Sequence, residues 1–318
     1  MGIRVIKPGL LTTIQDLGRY GFQKSGMLVS GAMDTLALRI GNLLLGNPAN
    51  EAGLEITFSG PTIIFEEDQL MAVTGGNLSP LIDGLPVAMW RPIYVQKGSV
   101  LSFGRAVDGC RSYLIIYGGF QVPEVMSSKS TYLRAEIGGW KGRAIKANDL
   151  LPFRKRYIGQ LKKFGWSAGK NIYPDLSNTK IRVIKGPEFD QFNERSISLF
   201  FEESYTVSNE SDRMGYRLKG PVLERNSSRE LLSSAVTFGT VQVPAEGIPI
   251  ILMADHQTTG GYPRIVQVIS IDLTLLAQMQ PGHKITFELI TLAQAQVLLL
   301  TREQQLNQLQ QTLNLKYD

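Results

Sequence analysis

A chain of 318 residues exceeds the size at which one hydrophobic core usually stops growing, so its length favours two domains. Hydrophobic residues make up 43% of the chain and charged residues 19%, a composition that excludes a disordered protein. The net charge of +5 comes with no nucleic-acid recognition motif, no signal-like N-terminus and no apolar run of membrane-spanning length. We therefore expect a cytoplasmic protein that binds neither nucleic acid nor a membrane.

Most of the predicted elements are short β-strands, because runs rich in Val, Ile and Phe recur between Gly, Pro, Asn or Asp. In chain order, the clearest runs are Ile3–Ile6, Thr62–Phe65, Leu70–Thr74, Val100–Phe103, Ser112–Tyr117, Lys180–Ile184, Ile248–Met253 and Lys284–Leu289. Helical spacing of apolar residues is confined to Met33–Leu45, Phe189–Phe201, Leu273–Met279 and a segment from Leu292. Asp34 can cap the first of these helices. The chain is thus predicted to be mainly β with a few helices.

An internal echo indicates two similar halves. Residues 3–9 read IRVIKPG and residues 181–187 read IRVIKGP. Each half then has a strand that ends in Gly-Pro (56–61 and 216–221) and a strand led by glycine (97–103 and 281–287). Matches in the same order favour a duplicated β domain. We predict a first domain at 1–153, a basic linker at 154–179, a second domain at 180–300 and a helical tail at 301–318.

The linker and the tail each allow two interpretations. Between Arg154 and Lys170, six basic residues occur without an acid, which fits a solvated loop or a contact with an acidic partner protein. In the tail, Leu306, Leu309 and Leu313 have helical spacing. This stripe either packs on its own domain or docks onto a partner.

Several common catalytic signatures are missing from the sequence. Gly165–Lys170 resembles a Walker A loop but is one residue too short and lacks the following Ser or Thr, so no P-loop for ATP is predicted. No G-x-S-x-G or HExxH motif occurs, and two histidines cannot form a three-histidine metal site. Cys110, the single cysteine, is expected to be a buried structural thiol. Neither a metal site nor covalently bound biotin is expected on this chain.

Three polar, glycine-containing segments exceed what turns require. The first, at 12–26, places Gln15, Asp16 and Arg19 within five residues and so offers an amide, a carboxylate and a guanidinium to a ligand. The structural alternative is an Asp16–Arg19 pair that braces a turn. A fourth and weaker segment, 127–131, surrounds Lys129 with hydroxyl groups.

The second segment, 211–217, combines Ser211 and Asp212, which can bond backbone amides, with Arg213 and Arg217, which can grip a carboxylate. The third, 255–264, follows an apolar strand, where binding sites are often built. His256 there invites a general-base role, although a turn histidine without a special task is the more ordinary interpretation. The residues of this segment that could cradle an oxyanion or an amide are Gln257, Thr258, Thr259, Gly260, Gly261 and Tyr262.

These segments carry a family resemblance. The strings PGLLTTIQDLGRYGFQ, SGAMD, GNLLLGNPANEAGLEITFSGP, SDRMGYRL and DHQTTGGYPRI resemble, in this order, the biotin-dependent carboxyltransferase-like family once called allophanate hydrolase subunit 2. The resemblance implies a pair of cyclophilin-like β-barrel domains. The sequence departs from the family pattern at 127–131, where Ser-Ser-Lys-Ser-Thr stands in place of Gly-Ser-Arg-Ser-Thr. Lys129 keeps the positive charge but lacks the bidentate fork of arginine, which puts an anion contact there in doubt.

The resemblance also implies an activity. Stand-alone members resemble the C-type subunit of bacterial 5-oxoprolinase, which implies ATP-dependent opening of 5-oxo-L-proline to L-glutamate together with an A-type subunit and a kinase-inhibitor-like B-type subunit. ATP is then a co-substrate of the complex at an unknown location, and this chain is expected to be inactive alone. Two alternatives stay open. One is transfer of CO2 from carboxybiotin to a urea-like amide, and the other is a regulatory protein that neutralises a histidine-kinase inhibitor, the B-type subunit.

Under the oxoprolinase hypothesis, side-chain chemistry suggests a role for each segment. Arg213 or Arg217 would bind the substrate carboxylate, and Asp16 or Asp212 would act as general base. The oxyanion would be held by Thr258, Thr259 and the backbone at 260–261. The remaining predicted substrate contacts are Gln15, Arg19, Ser211, Gln257 and Tyr262.

Overall fold

The computed structural model describes residues 2–159, 164–226 and 231–317. The chain divides into two compact units. The first comprises Met1–Arg19, Ser30–Pro174 and Gln304–Asp318, and the second comprises Tyr20–Val29 and Asp175–Glu303. The predicted basic linker at 154–179 stays a prediction, since Lys162 and Lys163 lie outside the described residues.

The first unit is built from two antiparallel sheets. Its strands are β1 (Gly2–Lys7), β2 (Leu11–Gln15), β3 (Gly53–Thr57), β4 (Thr62–Phe65), β5 (Gln69–Asn77), β6 (Pro80–Ile82), β7 (Leu85–Pro86), β8 (Ile93–Val95), β9 (Val100–Phe103), β10 (Asp108–Ile116) and β11 (Leu150–Pro152). The six-stranded sheet has the order β11-β1-β4-β9-β6-β7, and the five-stranded sheet has the order β2-β3-β10-β5-β8.

The three central strands of the five-stranded sheet, β3, β10 and β5, are buried on both faces, which explains the continuous apolar runs Leu70–Val73 and Tyr113–Ile116. Along β10, Leu114 and Ile116 belong to a core shared with the six-stranded sheet, whereas Tyr113 and Ile115 pack with helix α1 (Thr35–Leu44). Asp34 caps α1 as predicted, because its carboxylate accepts from the amide of Ala37 at 3.0 Å. Glycine at position 41 lets the helix approach the sheet: a Cβ there would lie 2.5 Å from Cγ1 of Ile115.

The second unit contains a closed barrel. Its strands are β12 (Lys180–Lys185), β13 (Tyr205–Val207), β14 (Gly215–Lys219), β15 (Ser234–Ala235), β16 (Thr240–Gln242), β17 (Ile250–Leu252), β18 (Thr259–Gly260), β19 (Arg264–Val268) and β20 (Lys284–Leu289). The barrel runs β12-β19-β16-β17-β14-β13-β20, and β15 pairs with β18 beside it. The barrel closes through a parallel pairing of β12 with β20. The mainly β fold predicted from the sequence is confirmed.

Three further helices are α2 (Glu194–Glu202), α3 (Leu273–Gln278) and α4 (Leu292–Tyr317). The helix predicted from Phe189 begins later, because Asn193 accepts from the amide of Ser196 at 2.7 Å and so caps α2. In α4, Leu306 and Leu313 are buried in the core of the first unit and Leu309 packs against them. The leucine stripe of the tail therefore packs on this chain itself. No helix in the described ranges is long and apolar enough to cross a membrane.

Two buried tyrosines provide a test of the two cores. The Tyr113 hydroxyl donates to Glu55 at 2.7 Å and accepts from the amide of Asp34 at 2.8 Å, whereas the Tyr205 hydroxyl has no hydrogen-bond partner among the described residues. We expect Tyr113→Phe to lower the free energy of unfolding by about 1–3 kcal/mol, because it leaves buried partners unsatisfied. Tyr205→Phe should be neutral or stabilising. Chemical denaturation measures the free energy of unfolding of both variants. An equal loss in the two would contradict the difference in hydrogen bonding between the Tyr113 and Tyr205 hydroxyls.

Candidate functional site

The four polar segments of the sequence come together as two pairs. In the first unit, the segment at Gln15–Arg19 meets the segment at 127–131. In the second unit, the segment at 211–217 meets the segment that begins at Asp255. Each pair is therefore described within its own unit.

Asp16 is the centre of the first pair. It follows β2, and its carboxylate accepts hydrogen bonds from the Ser128 hydroxyl at 2.7 Å, the Lys129 amide at 2.6 Å, the Gly18 amide at 2.8 Å and the Ser130 hydroxyl. Four donors occupy the carboxylate of a side chain that is almost fully buried. This bonding favours a positioning role over proton abstraction, because a general base needs a lone pair that faces its substrate.

The backbone that enters this cluster is strained. Met126 and Ser127 have φ values of 53° and 57°, in the left-handed region that side chains other than glycine rarely adopt. Such conformations persist only where surrounding bonds hold them, and they concentrate at functional sites. Ser128 and Lys129 directly follow these two residues, and their hydrogen bonds to the Asp16 carboxylate hold the backbone in this conformation.

The charge of Lys129 is neutralised inside the first unit. Its ammonium lies 2.7 Å from Glu51, and Glu51 also accepts from the guanidinium of Arg154. Arg154 additionally donates to the carbonyl of Gly118 at 2.8 Å, so this member of the basic segment belongs to a structured ion cluster rather than to a solvated loop. Lys129, which stands where the family pattern has arginine, is therefore paired with a carboxylate. The side chains of Lys129 and Glu51 are both largely buried, so each charge needs the other.

Gln15 and Arg19 are fully buried. Gln15 donates to the Thr13 hydroxyl at 3.0 Å and to the Thr131 carbonyl at 3.1 Å, and its own carbonyl oxygen has no partner among the described residues. Arg19 donates to the carbonyl of Ser130. Both side chains hold the segment at 127–131 in place, and neither is accessible to a ligand in this conformation.

A buried ion pair joins the second and third segments. Arg213 and Asp255 form two hydrogen bonds, at 2.8 and 3.1 Å, and both side chains are 8% exposed. The amide of Asp255 also donates to the carbonyl of Arg213 at 2.8 Å. Arg213 was one of two arginines predicted to bind a substrate carboxylate. In the structure its guanidinium binds the carboxylate of Asp255 instead.

The neighbours of this ion pair are accessible. Asp212 is exposed and accepts from the amides of Met214 at 2.8 Å and Gly215 at 3.2 Å, which shapes the turn before β14. Arg217, two residues along β14, is exposed on the outer face of the barrel. The Ser211 hydroxyl donates to the carbonyl of Arg217 at 3.3 Å, so this hydroxyl stabilises the turn.

The third segment forms a small two-stranded sheet. Thr259 pairs with Ala235, and Gly260 packs so closely on Gln242 that a Cβ would lie 2.5 Å from its amide nitrogen. The same nitrogen donates to the carbonyl of Tyr262 at 3.3 Å. Thr259 and Tyr262 are exposed, and Gln257, Thr258 and Gly261 are partly exposed, so this segment is accessible to a ligand. In the described residues, no group of three or more His, Cys, Asp or Glu side chains is placed to hold a metal.

His256 predicts a pH dependence of stability. Burial lowers the pKa of its imidazole, against the opposing effects of the Gln257 carbonyl and Asp255. The unfolded chain therefore takes up the proton first, so stability should fall as the pH drops below about 6.5 and level off below the folded pKa. His256→Gln should flatten this slope. Denaturation midpoints of the two proteins between about pH 5 and 8 test this, and an equal slope in both would contradict it.

Comparison with known proteins identifies the family to which the chain belongs. A sequence profile described as "Carboxyltransferase domain, subdomain A and B" matches residues 25–289. The chain belongs to this carboxyltransferase domain family. The resemblance inferred from the polar segments is thereby confirmed.

Two bacterial members of the carboxyltransferase domain family, each named as the C-type subunit of 5-oxoprolinase, are similar to this chain over nearly their whole length. The protein from Escherichia coli (strain K12) is 43% identical over 294 residues, which cover 92% of this chain and 93% of that protein. The protein from Haemophilus influenzae is 42% identical over 305 residues, which cover 96% of each.

Fungal members carry the domain within longer chains. Urea amidolyase of Saccharomyces cerevisiae is 32% identical over 301 residues, which cover 90% of this chain and 16% of that protein. The crystal structure of the K. lactis urea amidolyase matches with a TM-score of 0.90 and 30% identity over 97% of this chain. This chain covers 20% of that structure, so the shared part is one module of a larger protein.

Two carboxylates of this carboxyltransferase domain, Glu51 and Glu188, form ion pairs that the sequence did not indicate. Glu51 lies in GNPANEAGL, where nothing in its neighbours indicates the buried lysine that it bonds. Glu188 makes a two-point contact with Arg264, at 2.8 and 2.6 Å, from 76 residues away. That pair holds the end of the third segment, since Arg264 also donates to the carbonyl of Ala235 at 3.0 Å.

Proposed function

We propose that this carboxyltransferase domain protein is the C-type subunit of an ATP-dependent 5-oxoprolinase, a cytoplasmic complex with A-type and B-type subunits that opens 5-oxo-L-proline to L-glutamate. One observation carries the proposal. The two relatives named as C-type subunits of 5-oxoprolinase match over more than nine-tenths of both chains at 42–43% identity, whereas the yeast urea amidolyase matches over 16% of its own length at 32% identity.

The chemistry accounts for the use of ATP. A five-membered lactam is a stable amide, and its carbonyl carbon is a poor target for water at neutral pH. Transfer of the γ-phosphoryl group of ATP to the lactam oxygen, with release of ADP, activates that carbon. Water then adds to that carbon and the ring C–N bond breaks, which frees the amino group and leaves the side-chain carboxyl as an acyl phosphate; a second water hydrolyses this acyl phosphate to glutamate and phosphate. This chain would bind and orient the reacting amide within the complex.

The proposed residue roles follow accessibility. Arg217 is assigned to the substrate carboxylate, because Arg213 is already paired with Asp255. Asp212 is assigned as general base in preference to Asp16, whose carboxylate is occupied by four donors. The oxyanion is assigned to Thr258, Thr259 and the backbone at 260–261. Gln15, Arg19 and Arg213 act as positioning residues.

A second candidate function is carboxyl transfer from a separate biotin carrier to a urea-like amide. The fold match to the K. lactis urea amidolyase, at a TM-score of 0.90, favours it. On this alternative the accessible residues around Thr259 and Arg217 would face urea and carboxybiotin rather than a lactam.

Substrate choice separates the two candidates. The chain, assembled with its A-type and B-type partners, is supplied with ATP and either 5-oxo-L-proline or urea with bicarbonate, each with and without avidin. The proposal predicts glutamate formation from 5-oxo-L-proline that avidin does not inhibit. ATP hydrolysis that depends on urea and is abolished by avidin would overturn it in favour of carboxyl transfer.

A further inference from the structure

An open depression with a volume of about 200 Å³ lies on the outer face of the second unit's barrel. Four charged side chains line it: Arg217 and Lys219 from β14, Glu210 from the preceding loop, and Glu246 from the turn before β17. Ile248 and Ile250 add apolar surface. The depression thus offers two cations and two carboxylates around an apolar patch.

Strand geometry places the two cations side by side. Along β14, Tyr216 and Leu218 are buried in the barrel, while Arg217 and Lys219 are exposed on the opposite face. Arg217 lies directly across from Ile250 of β17. Residues two apart on a strand are roughly 7 Å apart, so an anion that sits between these cations relieves their repulsion.

These four charges differ from three arginines of the same barrel that are paired with carboxylates. Arg182 is bonded to Asp272, Arg213 to Asp255 and Arg264 to Glu188, each through two hydrogen bonds. In the part of the chain that the structure describes, by contrast, none of the four charged groups in the depression lies within 4.0 Å of an opposite charge. A site that keeps charges of both signs unpaired around an apolar patch is complementary to a zwitterion.

We propose that this depression binds a free acidic α-amino acid. Arg217 and Lys219 receive its carboxylates, Glu210 and Glu246 face its ammonium group, and the methylene groups lie on Ile248 and Ile250. The identification of that amino acid as L-glutamate rests on the proposed function, in which the lactam nitrogen becomes an ammonium group as the ring opens. The depression would then favour the product over the substrate, since 5-oxo-L-proline has one carboxylate and no ammonium.

Calorimetric titration of the full chain, without its partner proteins, tests the site. We expect L-glutamate to bind at least about tenfold more tightly than glutarate, which has both carboxylates but no ammonium, and than 5-oxo-L-proline. Arg217→Gln should weaken glutamate binding by about tenfold or more. Glu246→Gln should weaken binding of glutamate but not of glutarate, a difference that a general loss of structure would not produce.

Glu288→Gln is the matched control, because Glu288 lies on β20 of the same barrel and is similarly exposed, at 47%. It should bind glutamate like the unmodified chain. Equal affinities for glutamate and glutarate, or no binding of glutamate up to about 10 mM, would overturn the site. The outcome is independent of turnover: a complex that forms no glutamate while this chain still binds it would refute the proposed function and leave the site intact.

Discussion

Replacing Asp16 with alanine is expected to lower the free energy of unfolding of the first unit by about 3 kcal/mol or more. The carboxylate accepts from Gly18, Ser128, Lys129 and Ser130, and two of those donors are backbone amides that cannot turn towards another acceptor. The burial of Ser128, Lys129 and Ser130 prevents water from replacing the lost acceptor without rearrangement. The positive φ values at Met126 and Ser127 add to the effect, since the bonds that hold them are lost together.

Asp16→Asn is the informative second variant. The amide keeps the size of the side chain and one acceptor, but its NH2 group faces one of the present donors, so a loss of about 2 kcal/mol is expected. Asp190→Ala, at a carboxylate that is 93% exposed, serves as control and should change stability by less than about 0.5 kcal/mol. Chemical denaturation gives the three values. A change in Asp16→Ala as small as in the control would contradict the positioning role.

Breaking the Arg213–Asp255 pair should have a comparable effect on the second unit. Each single replacement by alanine removes both hydrogen bonds of the pair from a charge that stays buried, and we expect each to cost about 3–5 kcal/mol. The double variant should cost clearly less than the sum of the two, because it leaves neither charge behind. The 8% exposure of both side chains is the reason that water does not compensate for the loss.

The Lys180–Glu288 pair provides the comparison for this cycle. Its charged atoms are 3.8 Å apart and its side chains are 59% and 47% exposed. Replacing either of these residues should change stability by less than about 1 kcal/mol, with little coupling between the two. If the buried pair behaved like this exposed pair in a double-mutant cycle, the contact between the second and third segments would not be the restraint inferred from the structure.

Apolar runs bounded by turns predicted the strands well where the strands are apolar. β4, β9 and β20 have the limits expected from the sequence. β2 was missed, because Thr12, Thr13 and Gln15 are polar although the strand is buried. Their polarity pointed to a ligand, whereas the structure uses it for hydrogen bonds inside the first unit. Burial of a polar strand depends on partners that are distant in sequence, which a local pattern does not contain.

The internal echo was only partly structural. Residues 3–9 and 181–187 both open with a strand, β1 and β12, at the start of each half. The glycine-led strands are not equivalent, since β20 pairs with β12 whereas β9 lies next to β4 and β6 in its sheet. A short run of residues that favour strands therefore predicts that a strand forms, but it does not predict which strand it pairs with.

The sequence identified the polar segments but not their pairing. Asp16 bonds Ser128 across 112 residues, and Arg213 bonds Asp255 across 42 residues. Sheet register and turn geometry bring these residues together, and neither can be read from residue spacing alone. Asp16 and Arg213 were both predicted to contact the substrate. In the structure, both side chains are hydrogen-bonded to other groups of the protein.

The most direct test of the proposed function is an omission assay. The A-type and B-type proteins of the complex are incubated with ATP and 5-oxo-L-proline in the presence and absence of this chain, and the glutamate released is measured. The proposed function predicts glutamate release only when this chain is present, and none from this chain alone. Undiminished glutamate release by the other two proteins without it would contradict its assignment as a required member of the complex.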